Sequence, residues 1–313
     1  HHLKACIRQY IELWKEDLGA DYEGFKEWFE KYNYVCATLV DRIVPGFPRK
    51  DIAAIQEKVG YNDNLVVQAE IFHLWVIEKP ENMSIEELEA EFPANHAGLN
   101  GLIAESEKPY HERKVTLLNG PHTVLSPVTY LSGVNIVRDA CNHEVLGKYI
   151  NKVMFEELLE TLNLPKDELK AYGESVLERF NNPYVDHAVT SIMLNSFPKF
   201  ETRDLPGLKV YLERKGELPK GLVLGLAAII TYYKGGVRED GAPIQPNDAQ
   251  EIMDLLAQLW ATNDTHKVAE GVLGATDIIW KESKQNLNEI PGLTAMVEGF
   301  LNDIQAKGML ETV

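Results

Sequence analysis

The run Gly221-Leu-Val-Leu-Gly-Leu-Ala-Ala-Ile-Ile-Thr-Tyr-Tyr233 has no charged residue and is apolar on nearly every side. A helix without a polar face has to be surrounded, by protein or by lipid. This run is shorter than the roughly 18 apolar residues that a membrane span needs. It therefore predicts a helix buried at the centre of a protein, with other helices packed around it. Gly221 and Gly225 read as points of close helix approach, not as a phosphate loop, because they lie inside the apolar stretch.

The neighbouring segments supply candidate partners. Met154, Leu158, Leu159 and Leu162 form one apolar stripe at helical spacing. Leu164-Pro165-Lys166-Asp167 starts a helix that runs to about Phe180. Asn181-Asn182-Pro183 ends that helix and opens another over 184–194. Helices are also predicted over 205–214, 220–233, 247–260 and 292–306. Near the start of the chain, Ile7, Tyr10, Ile11 and Trp14 mark one helix, and Phe25, Trp28 and Phe29 mark a second. Extended segments are predicted over 34–40 and 64–78, separated by the proline- and glycine-bearing loop 41–48.

A net charge of −17 argues against nucleic acid, since there is no basic excess to displace phosphate counterions. It does not exclude an anionic small molecule, which feels the local field of a pocket. Cys6, Cys36 and Cys141 are widely spaced and lack CxxC pairing, which points to a reducing cytoplasm and no structural zinc. No secretory leader or membrane span is expected. His1-His2 reads as the remnant of a purification tag and takes no part in the chemistry.

Lys114-Val-Thr-Leu-Leu-Asn119-Gly120-Pro121-His122 concentrates a lysine, an amide and an imidazole. Lys114, Leu118 and His122 fall four apart, like one face of a helix. Gly120-Pro121 is expected to break that helix, because proline lacks the N–H and clashes with the preceding turn. Such a break would turn Asn119 and His122 back toward Lys114 and form a polar cluster fit to move a proton on a carbonyl or alcohol. The bland readings are a solvated lysine, a helix-capping Asn119 and a satisfied polar His122. Glu70-x-x-His73 has metal-ligand spacing on a helix but falls in a predicted strand, so no metal site is expected. The chain has no GxGxxG between a strand and a helix, no GxxxxGK[ST], no HExxH and no Gly-x-Ser-x-Gly.

Two segments together point to one family. Thr38-Leu-Val-Asp41-Arg42-Ile-Val-Pro45 resembles the signature of the mannitol dehydrogenase family of long-chain polyol and sugar-acid dehydrogenases. Lys114-x4-Asn119-x2-His122 is similar to that family's catalytic motif. The runs 41–49, 72–78, 113–123 and 213–220 extend the resemblance. It implies a mainly α fold: a multi-helical C-terminal substrate domain of 6-phosphogluconate-dehydrogenase-like type, with a small β element near its start. With so few residues before Asp41 and no glycine fingerprint, the Rossmann domain is expected to be absent. Residues 1–60 then hold the tag remnant and the tail end of the nucleotide-binding domain, and 61–313 the substrate domain.

The same resemblance implies metal-free hydride transfer between NAD and a small-molecule sugar acid. The NAD seat would lie mostly on the missing Rossmann domain, which would be the chain's principal partner and whose absence would leave it inactive. Lys114 would be the acid–base residue; lysine starts near a pKa of about 10.4, and burial would lower it. Asn119 and His122 would bind the reacting oxygen. Arg49, Lys199 and Arg203 are candidates for the substrate carboxylate, and His187 for the pocket border. His111 stands where relatives carry a proton-relay glutamate, and Asp41 and Arg42 would brace the site. Ala37 replaces the family's usual oxygen-binding asparagine. The reading from another class is a non-catalytic helical binding or scaffold module.

Overall fold

The computed structural model describes residues 2–238 and 240–313; His1, half of the expected tag remnant, lies outside them. The chain forms two compact units, residues 1–111 and 112–313. The sequence reading set the division at 60/61, on the strength of the motif at Asp41; the compact units divide at 111/112 instead.

The first unit opens with helix α1 (His2–Leu13), a short turn of helix, and α2 (Tyr22–Tyr32). Ile11, Tyr22 and Phe29 are buried where the two helices meet, with Ile7, Leu18, Phe25 and Val35 around them. The helical spacing of these side chains puts them on facing stripes. A three-stranded sheet follows, built from β1 (Thr38–Asp41), β2 (Leu74–Glu78) and β3 (Gly101–Ala104). The β1 and β2 strands are antiparallel, with Leu39 opposite Val76, while β2 and β3 run parallel. Parallel neighbours require a crossover connection. Helix α3 (Ile52–Val59) lies between β1 and β2, and the crossover from β2 to β3 contains α4 (Ile85–Glu91). Ser84 and Glu87 close a capping box at the start of α4, each side chain receiving the other's backbone N–H.

The extended segment expected over 64–78 becomes a strand only from Leu74, and 101–104 was not expected as a strand at all. Glu70 is held by its neighbours: its Oε1 accepts the Ile43 N–H at 2.6 Å and its carbonyl accepts Arg42 Nε at 2.9 Å. His73 Nε2 accepts the Asn100 N–H at 3.1 Å.

The second unit is helical. The apolar run is helix α7 (Lys220–Tyr232) in the set α5 (Gly120–Leu131), α6 (Lys166–Phe180) and α7, and its residues from Gly221 to Ile230 are all buried. Its glycines do what the sequence suggested. A Cβ on Gly225 would stand 2.4 Å from Val124 Cβ of α5, and one on Gly221 would stand 2.7 Å from Val153 Cγ2. Both positions let the helices approach closer than any side chain allows. Helix α8 (Leu293–Lys307) packs on another side of α7. The helix predicted over 184–194 is confined to Val189–Ile192, because residues before it are drawn into a bridge between Ile136 and Ala188.

Candidate active site

Gly120-Pro121 does not break the helix. Lys108–Lys114 is α-helical, Val115–Asn119 is a π-helical turn, and α5 continues directly from it. The Gly120 N–H reaches back five residues to the Val115 carbonyl. The wider turn lets Pro121 enter without its N–H being missed and without the ring colliding with the preceding turn. Gly120 has no spare room either, since a Cβ there would stand 2.9 Å from Asp204 Oδ1 and 3.1 Å from Leu158 Cδ1.

This changes which side chains align. On a regular helix Lys114 and Asn119 would point about 140° apart, at roughly 100° per residue. An i→i+5 turn narrows that angle, and His122 follows three residues on. Leu118, which the fourfold spacing aligned with Lys114, is buried in the core. Asn119 makes no capping bond; among the described residues its side-chain amide has no hydrogen-bond partner, while its carbonyl accepts Thr123 Oγ1 at 2.9 Å.

His122 is 6% exposed and its Nε2 has no hydrogen-bond partner. Its ring lies on Phe180, with centroids 3.9 Å apart, and meets His187 edge-on at 5.4 Å. Burial holds the imidazole well below its ordinary pKa, helped by the positive charges of His187, Arg203, Arg179 and Lys114. His122 is therefore neutral at pH 7, with one ring nitrogen as donor and the other as acceptor. Burial also lowers His187.

Lys199 and Arg203 lie one turn apart on the helix Ser196–Arg203. Arg203 donates to Thr123 Oγ1 at 3.2 Å, which ties it through the Thr123 hydroxyl to the Asn119 carbonyl. Lys199 Nζ donates to the Ile192 carbonyl at 2.7 Å. Burial lowers the pKa of both, and Arg203 lowers Lys199 further. Two half-buried cations on one helix face repel each other and favour an anion between them and the turn.

The remaining expected residues, Asp41, Arg42, Arg49 and His111, belong to the first unit. Asp41 is buried; Arg42, Arg49 and His111 are exposed, as is Ala37, and Arg49 sits over the Phe47 ring. The second unit by itself gathers Lys114, Arg179, His187 and Arg203 around His122, with Lys199 one turn from Arg203 and the Asn119 carbonyl joined to Arg203 through Thr123. Sequence reasoning missed Thr123 and Phe180. Thr123 adjoins His122 in the same run, so its position was open to view; Phe180 is far away in the chain and carried no signal.

The comparisons with known proteins follow from this geometry. The family described as "Mannitol dehydrogenase C-terminal domain" matches residues 107–304, and "Mannitol dehydrogenase Rossmann domain" matches residues 6–91. Altronate oxidoreductases of Phocaeicola vulgatus and Bacteroides thetaiotaomicron are each 74% identical over the full chain, and one from Escherichia coli is 37% identical over 99% of it. The chain spans 62% of the length of each of these relatives. In fold it is similar to Pseudomonas fluorescens mannitol 2-dehydrogenase, solved as a ternary complex with NAD and D-mannitol, at a TM-score of 0.73 and 21% identity; 93% of this chain and 56% of that one are covered. A D-sorbitol dehydrogenase gives 0.74 and 20%, with the same coverage.

The match over 6–91 corrects the expectation that the Rossmann domain is absent, and with it the description of the chain as a helical C-terminal substrate domain alone. The expected inactivity, the NAD seat on a missing domain and the missing domain as partner lose their support with it. The error came from equating the domain with its glycine fingerprint. That fingerprint marks a single phosphate-binding turn, whereas the parallel β2–β3 pair and its helical crossover carry no such motif.

Proposed function

Because the chain belongs to the mannitol dehydrogenase family, we propose that it serves an NAD-dependent oxidoreductase acting on a CH–OH group, interconverting D-tagaturonate and D-altronate. The observation that carries this is the cationic cluster around the turn: Lys114, Arg179 and Arg203 all act on a buried, neutral His122 whose Nε2 has no hydrogen-bond partner. Such a cluster suits a substrate with a reacting oxygen at one end and a carboxylate at the other.

NAD would supply or accept the hydride. The chain's own residues manage the proton and the charge. Lys114 gives the reacting oxygen its proton in reduction and removes it in oxidation. Asn119 donates its amide N–H to the same oxygen, and neutral His122 offers Nε2 without adding charge. Arg203, fixed by Thr123, and Lys199 hold the carboxylate; Arg203's planar fork suits it to the bidentate contact. His187 borders the pocket. His111 as proton relay, Asp41 and Arg42 as braces and Arg49 as a further carboxylate ligand rest on the family resemblance alone. The unpartnered groups fit a substrate oxygen and an anion; the sequence has no GxGxxG loop, so no residue is assigned to the dinucleotide itself.

No helix of the described residues is long and apolar enough to cross a membrane. Three free cysteines support a cytoplasmic setting. Fructuronate reductase and mannitol dehydrogenase activities are the alternatives within the family. A scaffold role is disfavoured by the Asn119 and His122 groups, which have no structural partner. The test is NADH oxidation with D-tagaturonate, D-fructuronate and fructose, using both this chain and the full-length protein. Fastest turnover with D-tagaturonate is expected; no turnover with any of the three by the full-length protein overturns the assignment.

A further inference from the structure

An imidazole whose buried Nε2 makes no hydrogen bond within the protein needs something else to fix its plane. At His122 the contact is Phe180, itself 4% exposed at the end of α6. The two rings lie 3.9 Å apart with planes 27° from parallel. His187 touches from another side, its plane 76° to that of His122. One flat contact and one edge contact leave the imidazole little freedom to rotate about its χ2 axis, a torsion that is otherwise broad.

We propose that Phe180 is a positioning residue: it clamps the His122 ring, keeps water from one of its faces, and holds Nε2 in the direction of the reacting oxygen. This rests on the reading of His122 as an oxygen ligand. The groups facing the imidazole are Lys114 ahead of the π turn, Arg179 on α6, His187 before the short helix Val189–Ile192, and Arg203 on the Ser196–Arg203 helix. All of them disfavour a second proton on the ring, and none of them hydrogen-bonds Nε2 to fix its direction. Orientation therefore falls to the stack. An aromatic face also suits the role because it restricts the ring without competing for Nε2.

The test uses the full-length enzyme with ring-labelled histidine and two variants, Phe180→Leu and Phe180→Met. The Met change guards against a folding failure of the first. In the unaltered enzyme the His122 resonance should stay that of a neutral ring from pH 8 down to pH 5. In the variants water reaches the ring, and the resonance should titrate at a higher pH than in the unaltered enzyme, because the burial that disfavours the charged ring is relieved. kcat should fall about ten- to a hundredfold through misorientation, with a new acid limb at the same pH and little change in KM. Phe180→Tyr, which keeps the flat face, should restore both signals.

A His122 resonance that stays neutral down to pH 5 in both variants, with the parent kcat, overturns the clamp. A resonance that titrates while kcat and its pH profile stay unchanged means that the ring is clamped but takes no part in turnover. That result would sink the oxygen-ligand reading, and with it the positioning role.

Discussion

Among its described residues the second unit contains two π-helical segments, Val115–Asn119 and Lys152–Leu158, and they serve different ends. In Lys152–Leu158 the polar group is spent internally. Glu157, 2% exposed, accepts the N–H groups of Gly221 and Leu222 at 2.7 and 2.9 Å, and so caps the central helix α7. Those are donors that a helix start leaves without a partner. In Val115–Asn119 the polar groups stay open: the Asn119 amide finds no protein partner, and neither does Nε2 of His122 just beyond. The wider turn is thus a way of re-phasing side chains, and the two segments differ in whether the polar groups that follow from it are satisfied within the protein. A buried group left open, as Nε2 of His122 is, costs free energy that a hydrogen-bonding ligand would return.

The sharpest way to break this comparison is Lys114→Ala in the full-length enzyme. The open segment is expected to lose about 10²–10⁴-fold in kcat, measured as NADH oxidation with D-tagaturonate. Unfolding by urea should be little affected. A rate near that of the parent means that the proton comes from elsewhere.

Glu157→Ala should show the reverse pattern. Removing the carboxylate orphans two buried N–H groups, at a cost of roughly 2–4 kcal/mol, read from the urea midpoint, while kcat per folded molecule is kept. If stability holds and turnover collapses, the two segments do not differ as described.

Asp204 supplies a smaller effect of opposite sign. Its side chain is fully buried behind Gly120, with neither oxygen hydrogen-bonded, and burial raises its pKa well above 3.8 against the opposing pull of Arg203. The folded state therefore holds a proton that the unfolded chain releases above its ordinary value. Stability from this group is full below that value and is lost as pH rises toward the raised one. Asp204→Asn, neutral at every pH, should raise stability by about 1 kcal/mol or more at pH 8. The gain should vanish near pH 4, as thermal melts across that range would register. A pH-independent difference would show that Asp204 is ionised in the fold.

Much of the site lay within one legible run. Lys114, Asn119 and His122 differ in chemistry from their apolar surroundings and sit close in the sequence, and Gly225 inside an uncharged helix announced close packing. The parts that escaped were long-range or conditional. Proline after glycine was read as a break because an α-helix cannot take it, yet the same residues fit once one turn widens. The three strands escaped in part because Gly101–Ala104 is short and its partner lies across a crossover. Phe180 was one aromatic among many until the fold laid it on His122.

The sequence by itself determined the helical character of 112–313 and the central buried helix, because these follow from local pattern, and it singled out Lys114, Asn119 and His122 as candidates through their resemblance to a family motif. Only the tertiary structure decided the phase of Asn119 against Lys114, the neutrality of His122 and the placing of Arg203 and Lys199 one turn apart on a helix beside Thr123. Those depend on burial and on charges brought from other helices, and neither quantity exists until the chain has folded.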